Sequence, residues 1–270
     1  MSFMKKLADA WKTNRSFLCV GLDPALERVP PSLAASPYPL FEFNKAIIDA
    51  THDCVCAYKP QFAYYAAYDA LDQLKLTIDY IAKTYSNIPV ILDAKRGDIG
   101  STARMYAREV FDVYHADAVT VNPYMGGDTL KPFLDRADKG VVILCRTSNP
   151  GAQQLQGLAV EGVALYQHVA RLAAQEWNYN RNVMLVVGAT APYELGQVRE
   201  QCPTLPLLVP GVGAQGGDVE AVVRQGVTSA GDGLVINSSR GILYAGSGSD
   251  FDRKARGAAI ELRDAINAYR

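Results

Sequence analysis

Short apolar, β-branched runs punctuate the chain, each ending in polar residues or glycine: residues 17–24, 54–60, 89–96, 118–124, 141–148, 183–190, 207–213 and 233–241. Continuous apolar runs of this length suit strands buried on both faces, as in a parallel sheet. Helical spacing lies between them. Leu71, Leu74, Ile78 and Ile81 recur at three- and four-residue steps within 69–85. A second helix is expected over 101–115, where Ser101 and Thr102 supply capping residues ahead of Met105, Val110 and Phe111. A third is expected over 161–177, on Val163, Leu165, Val169 and Leu172, and a closing one over 251–269. Strand–helix alternation repeated eight times predicts an α/β protein of the (β/α)8 TIM barrel class, one domain spanning residues 1–270. An open doubly wound sheet is the other arrangement such alternation allows, but no G-x-G-x-x-G follows the first strand. Residues 25–39 hold Pro30, Pro31, Pro37 and Pro39 and read as an irregular connection. Residues 149–158 are rich in Gly and Gln and follow the fifth strand, at the end of a barrel where mobile lids occur.

Composition narrows the function. Among 270 residues, 27 Lys and Arg face 28 Asp and Glu, for a net charge of −1. There is no basic surplus for nucleic acid and no polybasic surface for a membrane. Hydrophobic residues at 49% with 20% charged exclude disorder as the main state. No run reaches the roughly 18 apolar residues of a membrane span. Residues 1–15 lack a secretory apolar core and cleavage site, so a cytoplasmic protein is expected. Cys19, Cys54, Cys56, Cys145 and Cys202 are odd in number and show no C-x-x-C spacing, which favours reduced core thiols. His52, His115 and His168 are isolated, so neither a histidine metal site nor a Ser–His triad is expected.

The chemistry sits at the strand ends, where Asp23, Lys59, Asp93, Lys95, Asn122, Ser148 and Arg240 all fall. A barrel builds its active site at that face. Strand residues two apart share a side, so Asp93 and Lys95 should point inward together. Asp98 follows in the turn before the next helix. The simpler reading is a buried ion pair plus a helix cap at Asp98. Lys59 and Asp23 on neighbouring strands tip the balance, because clustered charges carry a desolvation cost that active sites tolerate. A phosphate site is expected after strands seven and eight, where Gly211, Gly213, Gln215, Gly216 and Gly217 form one loop and residues 237–241 the other. Backbone N–H groups, that of Gly213 among them, can approach an anion there, and Arg240 can offer a bidentate fork. Read as structure alone, those glycines are turn punctuation and Arg240 pairs with a surface acid. Cys54 and Cys56 read as core. Tyr64, Tyr65 and Tyr68 read as packing residues, and Arg104 to Arg108 as a solvated helix face or a dimer contact.

These residues resemble the orotidine 5′-phosphate decarboxylase family in its longer bacterial form. The matching pieces are Gly21-Leu22-Asp23-Pro24, Tyr58-Lys59-Pro60, Asp93-Ala94-Lys95-Arg96-Gly97-Asp98 with Thr102, Thr147-Ser148-Asn149, the segment 210–217, and Ser239-Arg240-Gly241. The resemblance implies conversion of orotidine 5′-phosphate to UMP and carbon dioxide, with no metal or organic cofactor, by a homodimer of barrels with shared active sites. By position, Lys95 resembles the acid that protonates C6. Asp93 resembles the carboxylate set against the departing one, and Asp98 and Thr102 the pair that reaches into the partner's site. Asp23 and Lys59 resemble ribose-hydroxyl ligands, Ser148 the pyrimidine contact, and Gln215 and Arg240 the phosphate contacts. Two alternatives stay in view. One is a magnesium-dependent sugar-phosphate decarboxylase or aldolase of the same barrel type, which resembles enzymes with an acid where Lys59 stands. The other is a non-catalytic phosphate-binding barrel, in which an array residue should be missing; none is.

Overall fold

The computed structural model describes residues 1–212 and 218–270. All eight apolar runs form strands: β1 Leu18–Leu22, β2 Ala57–Pro60, β3 Ile91–Arg96, β4 Ala118–Val121, β5 Gly140–Arg146, β6 Val183–Val187, β7 Leu207–Pro210 and β8 Leu234–Ser238. Every residue of β1, β2, β4, β6 and β8 is buried, without alternation. That is the pattern of parallel strands covered on both faces. Hydrogen-bonded order runs β2-β1-β8-β7-β6-β5-β4-β3, every pair parallel. The barrel closes between β2 and β3 through isolated bridges at Tyr58–Val90 and Gln61–Asp93, so this seam carries less backbone pairing than the others. Because the strands are parallel, their C-terminal ends share one mouth.

The principal helices follow their strands in turn: after α1 (Phe3–Thr13) come α2 (Pro39–Thr51), α3 (Leu71–Thr84), α4 (Gly100–Arg108), α5 (Gly127–Leu134), α6 (Leu165–Leu172), α7 (Pro192–Gln201), α8 (Val219–Gly226) and α9 (Phe251–Asn267). The expected helix over 161–177 begins later than its periodicity suggested. Ala159–Val160 and Val163–Ala164 form an antiparallel hairpin. Its turn residues Glu161 and Gly162 both adopt positive φ, +54° and +79°, the geometry of a type I′ turn. The segment 25–39 is not wholly irregular, since it holds a 3-10 turn at Leu26–Arg28 and a helical turn at Pro31–Ala34.

Helix α1 covers the end opposite the mouth. Phe3, Leu7, Ala10 and Trp11 share its buried face. The Trp11 indole donates to the Leu234 carbonyl at 2.9 Å, at the start of β8. Lys6 pairs with Asp117 at 2.8 Å, just ahead of β4. With one end plugged, ligands can enter only from the strand C-termini.

Candidate active site

Asp93 is the centre of the mouth. Lys59 is 4% exposed and Asp93 7%. One carboxylate oxygen of Asp93 accepts from Lys95 Nζ at 2.6 Å and Thr120 Oγ1 at 2.8 Å. The other accepts from Lys59 Nζ at 3.0 Å and Gln61 Nε2 at 3.0 Å. Four donors saturate an ionised carboxylate. Burial by itself would raise the Asp93 pKa, but the two ammonium groups outweigh it and hold the carboxyl well below its usual range. Burial likewise opposes the charge on Lys59, and the carboxylates of Asp93 and Asp23 outweigh it, so its pKa is raised. Asp93 and Lys59 are therefore a fixed buried ion pair at neutral pH, with Lys95 Nζ on the other carboxylate oxygen.

Asp93 and Lys95 do meet, though not through simple strand alternation. The β3–β4 register slips between Leu92 and Arg96. Lys95 sits in the bulge with φ +45°, a left-handed conformation uncommon for a residue with a Cβ. The bulge lifts the Lys95 side chain into the open mouth, where it is half exposed.

Two cavities adjoin the array and share Lys59, Asp93 and Pro210. The first, about 430 Å³, is bounded by Asp23, Tyr64, Asn237, Ser239 and Arg240. Among the described residues no donor reaches Asp23 Oδ1 or Asn237 Oδ1, although both atoms are buried. Buried acceptors without donors call for hydroxyl groups from a ligand or for water. The exposed Arg240 makes no ion pair among the described residues, which leaves its guanidinium available to an anion. Gly21 has to be glycine here, because a Cβ would collide with Ser239 Oγ. The second cavity, about 440 Å³, has Lys95 and Thr120 on one side, Ser148 at its rim, and Leu144, Val186 and Leu208 as an apolar wall. Gly188 lets β6 approach that rim, since a Cβ would lie 2.7 Å from Ser148 Cβ. The loop after β5 is tied down as Gln156 bonds Thr147 twice, at 2.8 Å each. The lining suits a ligand with an anionic group near Arg240, hydroxyls near Asp23 and Asn237, and a further moiety against the apolar wall beside Lys95.

The family model described as "Orotidine 5'-phosphate decarboxylase / HUMPS family" matches residues 16–250. The chain belongs to the orotidine 5′-phosphate decarboxylase family. Curated orotidine 5′-phosphate decarboxylases of Azoarcus sp. (strain BH72) and Cellvibrio japonicus (strain Ueda107) are 58% and 56% identical to it, over all of both chains in each case. The solved structure of Leishmania donovani UMP synthase superposes with a TM-score of 0.89 at 43% identity, over all of this chain, which spans 56% of that one. That of Leishmania donovani OMP decarboxylase gives 0.87 at 41% identity, over 100% of this chain and 98% of the other.

Of the residues singled out by resemblance to this decarboxylase family, the fold brings Asp23, Lys59, Asp93, Lys95, Ser148 and Arg240 to the two cavities. Gly213 and Gln215 lie outside the described residues. Asn122 departs from the sequence expectation: it lines neither cavity and instead accepts from the Tyr124 backbone at 3.0 Å in its own loop. Asp98 and Thr102 also stand outside both cavities of this chain. Asp98 does not cap α4, whose N-cap is Ile99, and its carboxylate accepts only from the Ile99 N–H, at 2.7 Å, among the described residues. Gln61 and Thr120 are not among the residues expected from the sequence, and Asn237 is expected there only as part of the 237–241 loop. Thr120 carries a signal, being the one polar residue in an otherwise apolar β4, and Gln61 follows Lys59 by two positions. No three His, Cys, Asp or Glu side chains group as metal ligands among the described residues.

Proposed function

We propose that the chain decarboxylates orotidine 5′-phosphate to UMP and carbon dioxide, with Lys95 as the acid that protonates C6. The carrying observation is the Lys59–Asp93–Lys95 row, buried at Lys59 and Asp93 and open at Lys95, at the waist of a double cavity. The pyrimidine lies in the second cavity against Ser148. The ribose hydroxyls meet Asp23 and Lys59, and the phosphate meets Arg240 with the Gly213 and Gln215 loop. Asp93 faces the substrate carboxylate, and like charges about 4 Å apart repel by up to ~4 kcal/mol at an effective dielectric near 20. The C6–carboxylate bond breaks, its electron pair stays on C6, and carbon dioxide leaves. The Lys95 ammonium stabilises that pair and transfers its proton to C6, then recovers a proton from solvent. No redox partner or metal enters this balance. A magnesium-dependent sugar-phosphate reaction is less well served, because the cation Lys59 stands where a further acidic ligand would be needed.

The same reading treats residues 1–270 as one domain, for which the continuous core from Phe3 to Ile266 speaks. It also treats the active unit as a homodimer. Ile99 and Met105, 62% and 57% exposed, neighbour Asp98 and Thr102 along the turn and first turns of α4, an apolar surface suited to a second copy. Asp98 and Thr102 then serve the partner's site. A small-molecule enzyme of this kind works in the cytoplasm without nucleic acid or membrane, and no helix among the described residues is long and apolar enough to cross a membrane. The test is loss of orotidine 5′-phosphate absorbance in excess EDTA. Turnover unaffected by the chelator is expected. Activity lost in EDTA and restored by Mg²⁺ would move the assignment to the sugar-phosphate class.

A further inference from the structure

We infer that Thr120 is a positioning residue that holds Lys95 and Asp93 in register for the reaction. Its hydroxyl oxygen accepts from the Ala94 N–H at 3.0 Å and from the Lys95 N–H at 2.9 Å. The same hydroxyl donates to Asp93 Oδ1 at 2.8 Å, the oxygen that also takes Lys95 Nζ. Thr120 is fully buried in the middle of β4, the strand against which β3 slips register. The slip costs β3 its regular ladder partners at Ala94 and Lys95, and partly buried N–H groups left unpaired carry a cost. Thr120 supplies the missing acceptor. It thereby fixes the left-handed backbone of Lys95, which determines where the ammonium points. Since its oxygen is engaged by two donors, its proton is directed at Asp93, adding a neutral donor to a carboxylate already flanked by two cations. Neither Val nor Ile at 120 could do this, although either would suit β4 as a buried strand.

This inference rests on the decarboxylase reading, and the experiment separates the two. Wild type, Thr120→Val and Thr120→Ser are assayed for orotidine 5′-phosphate turnover and for UMP binding, and exchange of the Ala94 and Lys95 amides is followed by NMR. Val keeps the shape and removes the hydroxyl; Ser restores it. For Thr120→Val, kcat should fall by about 10- to 100-fold, the scale of a lost hydrogen bond to a charged group. UMP has no carboxylate to confront Asp93, so its affinity should stay within about twofold. The two amides should exchange at least about tenfold faster. Thr120→Ser should return kcat to within about threefold of wild type and restore amide protection. A kcat for Thr120→Val within about twofold of wild type overturns the inference. So does an equal loss of kcat in Thr120→Ser, or unchanged protection of the two amides. If Thr120→Val does not fold, Thr120→Ser against Thr120→Cys carries the same test, since oxygen accepts these bonds well and sulfur poorly; equal rates then overturn it. Wild type without turnover defeats the decarboxylase reading itself, and the amide protection then judges the structural half of the inference alone.

Discussion

At the residue scale, the stability of the mouth depends on charge balance. Removing Asp93 strands Lys59 in a buried site, so Asp93→Ala should lose roughly 3–5 kcal/mol in urea or thermal unfolding. The pH dependence has a definite sign. The Asp93 pKa is held below its ordinary 3.8, so its stabilisation is present above that pH and is lost as pH falls towards its folded value. The Lys59 pKa is raised above 10.5, so its share is present below that pH and is lost as pH climbs through the folded value. Urea midpoints measured against pH should therefore drop below about pH 4 less steeply in Asp93→Asn than in wild type. The five thiols make a simpler case. All are buried, and burial pushes Cys19 up to about 12 and Cys54 and Cys202 to about 11. A thiol reagent at pH 8 should label none in the native chain and all five in denaturant. Core thiols and strand-end charges are legible in the sequence because their neighbours declare burial. Thr120 is harder to read, because its partners exist only once β3 has bulged.

At the element scale, the eight strands are legible because parallel strands covered on both faces leave uninterrupted apolar runs. The hairpin at 159–164 is not, since Val163 and Leu165 also fit a helical period and only the paired positive φ of Glu161 and Gly162 reveals the turn. Helix α1 carries a readable apolar face, disguised by the buried Lys6 within it. The seam between β2 and β3 shows how element and site depend on each other. Where the backbone ladder thins, Lys59 and Gln61 reach across from the β2 end to Asp93 on β3, so the charged row also closes the barrel. Away from the mouth, Arg199 on α7 plays the joining role without a salt bridge among the described residues. Its guanidinium donates to the carbonyls of Cys202, Leu205, Gly226 and Gly233 at 2.7–3.1 Å, and burial lowers its pKa to about 10. Arg199→Met removes the guanidinium from the carbonyls of Cys202, Leu205 and Gly226, while Gly233 keeps the Leu207 N–H, and should cost about 2–4 kcal/mol in thermal unfolding. Turnover at 25 °C should not change, because Arg199 lines neither cavity.

At the scale of the whole molecule, the barrel brings residues from β1, β2, β3, β5 and β8 to one mouth while placing Asp98 and Thr102 outside it. Sequence position cannot distinguish a residue that serves its own site from one that serves a neighbour's; the fold adds that Asp98 lies in the turn after β3, next to the exposed Ile99, and lines neither cavity of its own barrel. If the active unit is a closed dimer, Lys95→Ala and Asp98→Ala chains, each inactive, should regain activity when co-expressed, with about a quarter of all sites intact on random mixing. Verified heterodimers without activity would return Asp98 to its own barrel. Ile99→Glu should weaken the dimer in analytical ultracentrifugation and lower turnover with it. The central claim is that the Lys95 ammonium both stabilises and protonates C6, and the most direct measurement is turnover of orotidine 5′-phosphate by Lys95→Ala, in EDTA, beside its affinity for UMP. The account predicts a fall in kcat of at least roughly 10⁴-fold with UMP affinity within about tenfold of wild type. Turnover retained within about tenfold of wild type, in a folded Lys95→Ala chain that binds UMP, would contradict it.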